Sequence, residues 1–283
     1  MRYDRVLDSV AALAGAQWSR LHRDSCPPIL AHASSRRRVT TKPYGSHGNL
    51  ADIWQNPTAT MYPRPVLLFV PGGGWMSGRR VGQGYALLQA MVDAGWVCVS
   101  IDYRTSPRHA WPAHIEDVRE AVAWVRDELK PNFLAISGAS AGGHLASLAA
   151  LTGEPVDAVV SLYGAYDWVN RKNLVGWGTW GLVGTVVARG RWRGLREASP
   201  IYKVTPDAPP FLIVNGTRDH LTPVGGARAF HKALSAVSRS ETELLEIPHV
   251  GHAFDLTNAL ATHLATERIK QFLKHHYNEK LYR

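Results

Sequence analysis

Gly138-Ala139-Ser140-Ala141-Gly142 sets one hydroxyl among small residues, between the apolar run Phe133 to Ser137 and a helix-like stretch, Gly143 to Ala150. A strand that turns abruptly into a helix needs little or no side chain where the backbone closes on itself, and it pushes the central side chain outward. Here that side chain is Ser140. A serine hydroxyl is a weak nucleophile at neutral pH, so it needs a base to take its proton and a third group to orient the base. In a strand–turn–helix setting of this kind the acid and then the histidine follow the serine, each in a loop beyond a strand. Asp219 stands just past the apolar run Phe211 to Asn215, and His249 and His252 stand past the next run, Leu244 to Ile247. His252 is the preferred base because it follows Gly251 in a loop leading directly to the last helix; His249 is its alternative. Taken alone, an aspartate in this place is more often a helix cap or turn residue. Its place in the chain order favours the catalytic role over Asp207, which precedes its strand, and Asp255, which follows the histidine.

Acyl transfer through a serine develops negative charge on an oxygen, which preorganised backbone N–H groups can hold. Gly72-Gly73-Gly74 follows the buried-looking run Val66 to Val70 after the single residue Pro71, and its backbone can approach a substrate with no Cβ in the way. A glycine turn serving structure alone is common; joined to the serine turn and the Asp-then-His order it reads as an oxyanion site. No H-E-x-x-H or comparable spacing suggests a metal. The remaining histidines, His144 and the His275-His276 pair among them, read as surface or packing residues.

The elements that must carry these groups follow from the hydrophobic pattern. Val39 to Tyr44 and Leu50 to Trp54, separated by Gly45 to Asn49, predict an antiparallel hairpin. Strands are then expected at 66–70, 97–103, 133–137, 158–163, 211–215 and 242–247, alternating with helices at 84–94, 115–129, 143–151, 223–238 and 258–275. Such alternation implies crossovers and a mostly parallel, doubly wound sheet covered on both faces. Residues 168–200 interrupt it with Trp177, Trp180, Trp192 and several glycines. This stretch suits either an apolar substrate wall or cover, or a plain packing insertion. Residues 4–22 have the spacing of an amphipathic helix, giving a cap and linker segment over 1–35 and a catalytic domain over 36–283.

The chain of 283 residues is 45% hydrophobic and 19% charged, the composition of a soluble protein with a sizeable core. Its formal charge of +9 raises the question of an anionic partner. The basic residues are dispersed, without a nucleic-acid-binding motif, so a solvated basic surface is expected and no nucleic acid. Arg171-Lys172 and Arg189 to Arg191 permit a weak contact with an anionic membrane surface. The two cysteines cannot make a disulfide framework; Cys98 reads as a small apolar core residue, and Cys26 is uninformative. Asp4, Arg5 and Asp8 break any signal-peptide pattern, so a cytoplasmic location is expected. Pro131 to Gly153 lacks Asp, Glu, Lys and Arg, yet its glycine breaks point to strand, turn and buried helix rather than a membrane span.

Taken together, the residues resemble α/β-hydrolase carboxylesterases of the hormone-sensitive-lipase type, and especially a mycobacterial-type subgroup. The resemblance runs through Asn49 to Trp54, Pro71 to Trp75, Ile101 to Arg104, Trp111 to Val118, Gly138 to Gly143, Gly216 to Asp219 and Gly251 to Phe254. It covers roughly residues 40 to 275 in the expected order. It implies an α/β-hydrolase fold with Ser140 as nucleophile, His252 as base and Asp219 as orienting acid. The N–H groups of Gly73, Gly74 and Ala141 would form the oxyanion hole, with Gly72 shaping the bend. Pro71 departs from the histidine that usually precedes the glycines, and Ala139 from the acidic residue that usually precedes the serine; substrate preference therefore does not carry over. The expectation is an enzyme needing no cofactor that cleaves carboxylic esters of short to medium acyl chains, with Trp75, Trp177 and Trp180 at the substrate. An amidase or formamidase on the same triad and a non-catalytic ligand-binding member of the fold are the alternatives.

Overall fold

The computed structural model describes residues 38–58, 63–170, 181, 183–190 and 194–282. The segment 1–35, Trp177 and Trp180 lie outside the described residues. Arg38–Tyr44 (β1) and Asn49–Gln55 (β2) form the expected hairpin. Gly45 and Gly48 take positive φ, 66° and 69°, which gives the turn its glycines. The alternation then runs Val66–Val70 (β3), Tyr85–Asp93 (α1), Val97–Ile101 (β4), Ala113–Leu129 (α2), Leu134–Ala139 (β5), Ala141–Leu151 (α3) and Ala158–Leu162 (β6). It resumes with Phe211–Gly216 (β7), Val224–Val237 (α4), Thr242–Ile247 (β8), Phe254–Thr257 (α5) and Ala259–Leu281 (α6).

The strands form one sheet in the order β1-β2-β4-β3-β5-β6-β7-β8. Strand β2 runs antiparallel to both its neighbours, and the pairs from β4 to β8 are parallel. This is the α/β-hydrolase arrangement expected from the sequence. Strands β3 to β7 are buried along their whole length, as strands covered on both faces must be. Alternate side chains serve opposite cores. Leu68, Val99 and Ile136 pack with α2, α3 and α4, whereas Leu67, Phe69, Cys98 and Ala135 pack with α1 and α6. Cys98 is a fully buried free thiol, as expected of a core residue.

Every residue of α3 is buried, which explains why the stretch around it carries no charge. Among the described residues no helix is long and apolar enough to cross a membrane. Helix α6 continues well beyond the expected end at His275, because Phe272, Leu273, His276 and Tyr277 all face inward. Tyr277 sets its ring edge-on to Trp96 and Phe133, with centroids 5.9 and 5.7 Å away. The paired histidines look like a polar terminus in one dimension, yet one of them belongs to the buried face.

The described part of the 168–200 excursion is packing. Trp168, Val183, Val187, Ala188, Leu195 and Ala198 join the core on the α2 and α3 face. Arg189 donates to the carbonyls of Pro107 and Arg108. Several motif residues prove to be staples between elements. Arg80 joins Asp52 on β2 (2.9 Å) to Asp102 beyond β4 (2.7 Å). Arg104 grips the fully buried Asp117 of α2 through its Nε at 2.8 Å and its backbone N at 2.6 Å.

Candidate active site

Strand β5 ends at Ala139 and α3 begins at Ala141, so Ser140 alone makes the junction, with φ 55° and ψ −117°. A residue with a side chain held there costs of order 1–3 kcal/mol, and the surroundings must over-determine it. They do so by hydrogen bonds on both sides of the residue. Ser140 N donates to the Leu162 carbonyl at 2.9 Å, and His144 N donates to the Ser140 carbonyl at 3.0 Å. The flanking glycines are steric necessities: a Cβ on Gly142 would strike the Val70 carbonyl, and one on Gly138 would strike the Gly142 backbone.

The loops after β7 and β8 bring Asp219 and His252 to this serine. His252 Nε2 lies 2.8 Å from Ser140 Oγ, and His252 Nδ1 lies 2.7 Å from Asp219 Oδ2. A carboxylate can only accept, so Nδ1 carries the ring proton, and the lone pair on Nε2 faces the serine hydroxyl. The Asp219 side chain is fully buried, and that of His252 is 9% exposed. Asp219 is held from both ends: Oδ1 accepts from Leu221 N and Thr222 N, each at 2.8 Å, and Oδ2 accepts from Thr222 Oγ1 at 2.9 Å. Asp219 therefore makes a local turn and also faces His252. His249 is exposed with φ 62°, and its backbone N donates to Thr217 Oγ1. Asp207 pairs with exposed Arg239 at 2.9 Å.

The glycine turn lies across from the histidine loop. Gly72 N donates to Gln83 Oε1 at 2.6 Å, and the Tyr103 hydroxyl donates to the Pro71 carbonyl at 3.0 Å. Gly73 and Gly74 take φ of 125° and 60°, and among the described residues their N–H groups have no protein acceptor. Ala141 is the first residue of α3, where an N–H has no intrahelical partner. Free backbone donors of this kind suit a developing oxyanion.

Trp75 follows the glycines at φ 61° and is 5% exposed. Its carbonyl accepts from Ser106 N at 2.9 Å and from His114 Nε2 at 3.1 Å, and its indole N–H donates to His144 Nδ1 at 3.1 Å. His144 Nε2 in turn donates to the Ala198 carbonyl at 2.6 Å, and its ring stacks on Trp168 at 4.6 Å. Burial lowers His144 to about 3 and His114 to about 4. For His144 the partners give a further reason, because a proton on Nδ1 would point at the indole N–H. Two neutral histidines thus clamp Trp75 at its two polar ends.

A further chain of groups joins the two loops. Gln83 Nε2 donates to the Tyr163 hydroxyl at 3.2 Å, and that hydroxyl donates to the Asp255 carboxylate. The Tyr163 ring sets its edge to His252 at 4.8 Å, and burial raises the Asp255 pKa. Sequence reasoning missed Gln83, Tyr163, Thr222 and Asp255 in these positions. Only Thr222, three residues after Asp219, left a local signal, since Asp favours turns closed by the N–H groups two and three residues on.

The match to known proteins agrees with this architecture. A family model described as BD-FAE matches residues 51–234. Esterase LipC of Mycobacterium tuberculosis is 41% identical over 94% of this chain and 74% of its own length. From the same organism, Esterase LipQ is 38% identical over 88% of this chain, and the probable carboxylic ester hydrolase LipM is 38% identical over 83%. The chain spans 65% and 60% of the lengths of LipQ and LipM. Among solved structures, an esterase of Pyrobaculum calidifontis superposes with a TM-score of 0.78 at 22% identity, covering 92% of each chain. A truncated carbohydrate esterase from gut microbiota superposes at 0.71 and 22% identity, covering 87% of this chain and 99% of its own. At such identity these structures speak for the fold, and the mycobacterial relatives speak for the family. The chain belongs to the BD-FAE family and to the hormone-sensitive-lipase type of α/β-hydrolase carboxylesterases.

Proposed function

We propose that the chain hydrolyses carboxylic esters of short to medium acyl chain through an acyl-enzyme on Ser140. The observation that carries this reading is the unbroken path from Asp219 through His252 to Ser140, at 2.7 and 2.8 Å. His252 Nε2 takes the proton of Ser140 as Oγ bonds to the ester carbonyl carbon. The carbonyl electron pair moves to oxygen, where the N–H groups of Gly73, Gly74 and Ala141 receive it. The tetrahedral adduct collapses, His252 gives its proton to the departing alkoxide, and the acyl group stays on Ser140. Water then repeats the attack with the same base and releases the acid. Asp219 holds the ring tautomer and stabilises the imidazolium. Trp75 acts by fixing the glycine turn through His114 and His144.

Labelling by a serine-directed phosphonate tests the nucleophile: wild type is labelled and Ser140→Ala is not. Labelling that survives in Ser140→Ala removes the proposal, and phosphonate inertness of the wild type would favour a ligand-binding role. Rates over p-nitrophenyl esters from acetate to palmitate test the acyl range. The optimum is expected at the short end, and faster turnover of dispersed palmitate than of acetate would refute it.

A further inference from the structure

The amino ends of the strands carry a second cluster of titratable groups. Glu241 immediately precedes β8, His275 and His276 lie on α6, and one donor atom from each falls within 4.8 Å of the others. The side chain of His276 is 5% exposed and rests against Phe272, with ring centroids 4.5 Å apart. Its Nδ1 lies 3.3 Å from Glu279 Oε2. A carboxylate only accepts, so Nδ1 carries the proton of the neutral ring. Nε2 is then a bare lone pair, buried and without a hydrogen-bond partner, and Glu241 Oε2 stands 3.3 Å from it. Two acceptors facing each other repel unless a cation or a proton lies between them. His275 Nε2 stands 3.9 Å from the same Glu241 oxygen.

We propose that Glu241, His275 and His276 form a binding site for a divalent transition-metal ion of the zinc class, with Glu279 orienting His276 from behind. Two imidazole nitrogens and a carboxylate oxygen are a zinc donor set, with water completing the shell. A ligating histidine characteristically gives its other N–H to a carboxylate, which is the part Glu279 plays. Bonds of about 2.0–2.2 Å in a tetrahedron separate donors by roughly 3.3–3.6 Å. The His276 to Glu241 distance of 3.3 Å already has that span, and exposed His275 closes the remainder by rotating. Arg268, the neighbouring cation, is engaged by both oxygens of Glu243 and leaves Glu241 to the ion. Strand β8, of 6 residues, separates this cluster from the loop of His252 by about 20 Å. The ion would therefore tie α6 to the strand edge and take no part at Ser140.

Chelator-stripped, tag-free protein titrated with Zn²⁺ by calorimetry at neutral pH tests the site, with thermal unfolding in parallel. The expected result is one equivalent per chain and a Tm raised by about 5 °C at a hundredfold excess over Kd. Exposed His275→Ala and Glu241→Gln should abolish the saturable step, and Glu279→Gln should weaken it by roughly 10–100-fold. Ester hydrolysis should stay unchanged in these variants. Absence of saturable Zn²⁺ binding, or binding equal to wild type in both His275→Ala and Glu241→Gln, overturns the proposal and leaves a proton as the bridge.

Discussion

The two loops that face each other across Ser140 are held by opposite means. The glycine turn is locked from behind by groups that do not titrate near neutrality: Gln83, Tyr103, and the neutral His114 and His144 that clamp Trp75. The histidine loop is held through the very ring proposed to change protonation, by Asp219 on one nitrogen with Ser140 on the other. A base has to gain and lose a proton in every cycle, whereas backbone donors serve best when they never move. Histidine thus serves two purposes within one site. His252, in a partly open loop, is available as a base, and His144, one turn after the serine and fully buried, is a fixed acceptor and donor.

The comparison breaks most sharply at the moving side. Ser140→Ala or His252→Ala should lower kcat by about a million-fold with little change in Tm, read by ester hydrolysis beside thermal unfolding. The fixed side should respond less. Gly73→Ala would put a methyl group 2.8 Å from the Ser77 carbonyl carbon at a φ of 125°. With the turn displaced, kcat should fall by about 10²–10³ while KM changes little.

Trp75→Phe removes the indole N–H and leaves His144 Nδ1 buried without a partner, at about 1–3 kcal/mol of stability by denaturant titration. Urea midpoints for this variant close to wild type would show that the clamp adds nothing. The smallest effect is on pH dependence. His114 and His144 titrate near 4 and 3 when folded but near 6.5 when unfolded, so falling pH adds protons to the unfolded chain first. Their contribution is complete above about pH 6.5 and declines as the pH drops towards 4. Tm should therefore fall on acidification, and more gently in His144→Gln, whose amide can still accept from Trp75 and donate to Ala198.

Much of this could be read in the one-dimensional chain because the groups concerned obey local rules. Continuous apolar runs ending in proline, glycine or a polar residue marked β3, β5 and β7, and the order Ser140, Asp219, His252 named the three side chains that the fold brings together. The glycines of the serine turn declared a close approach, which the backbone of Val70 supplies for Gly142. Relations without a local signature stayed hidden. Gln83 touches Gly72 N and Tyr163 across the sheet, and no spacing announces a partner 80 residues away. Trp75 is one of the residues expected at the substrate. Its buried indole joins an aromatic group with Trp111, His144 and Trp168, which periodicity cannot foresee. His276 was hidden for a related reason, since its neighbour faces solvent while it faces Phe272.

Helix α6 follows all eight strands in the chain, yet it covers the sheet face that includes Leu67, Phe69 and Ala135 from strands made far earlier. During synthesis that face must wait for α6 to leave the ribosome before the helix can cover it. The nascent chain therefore presents a greasy surface after its strands are made, and that surface closes when α6 docks on it.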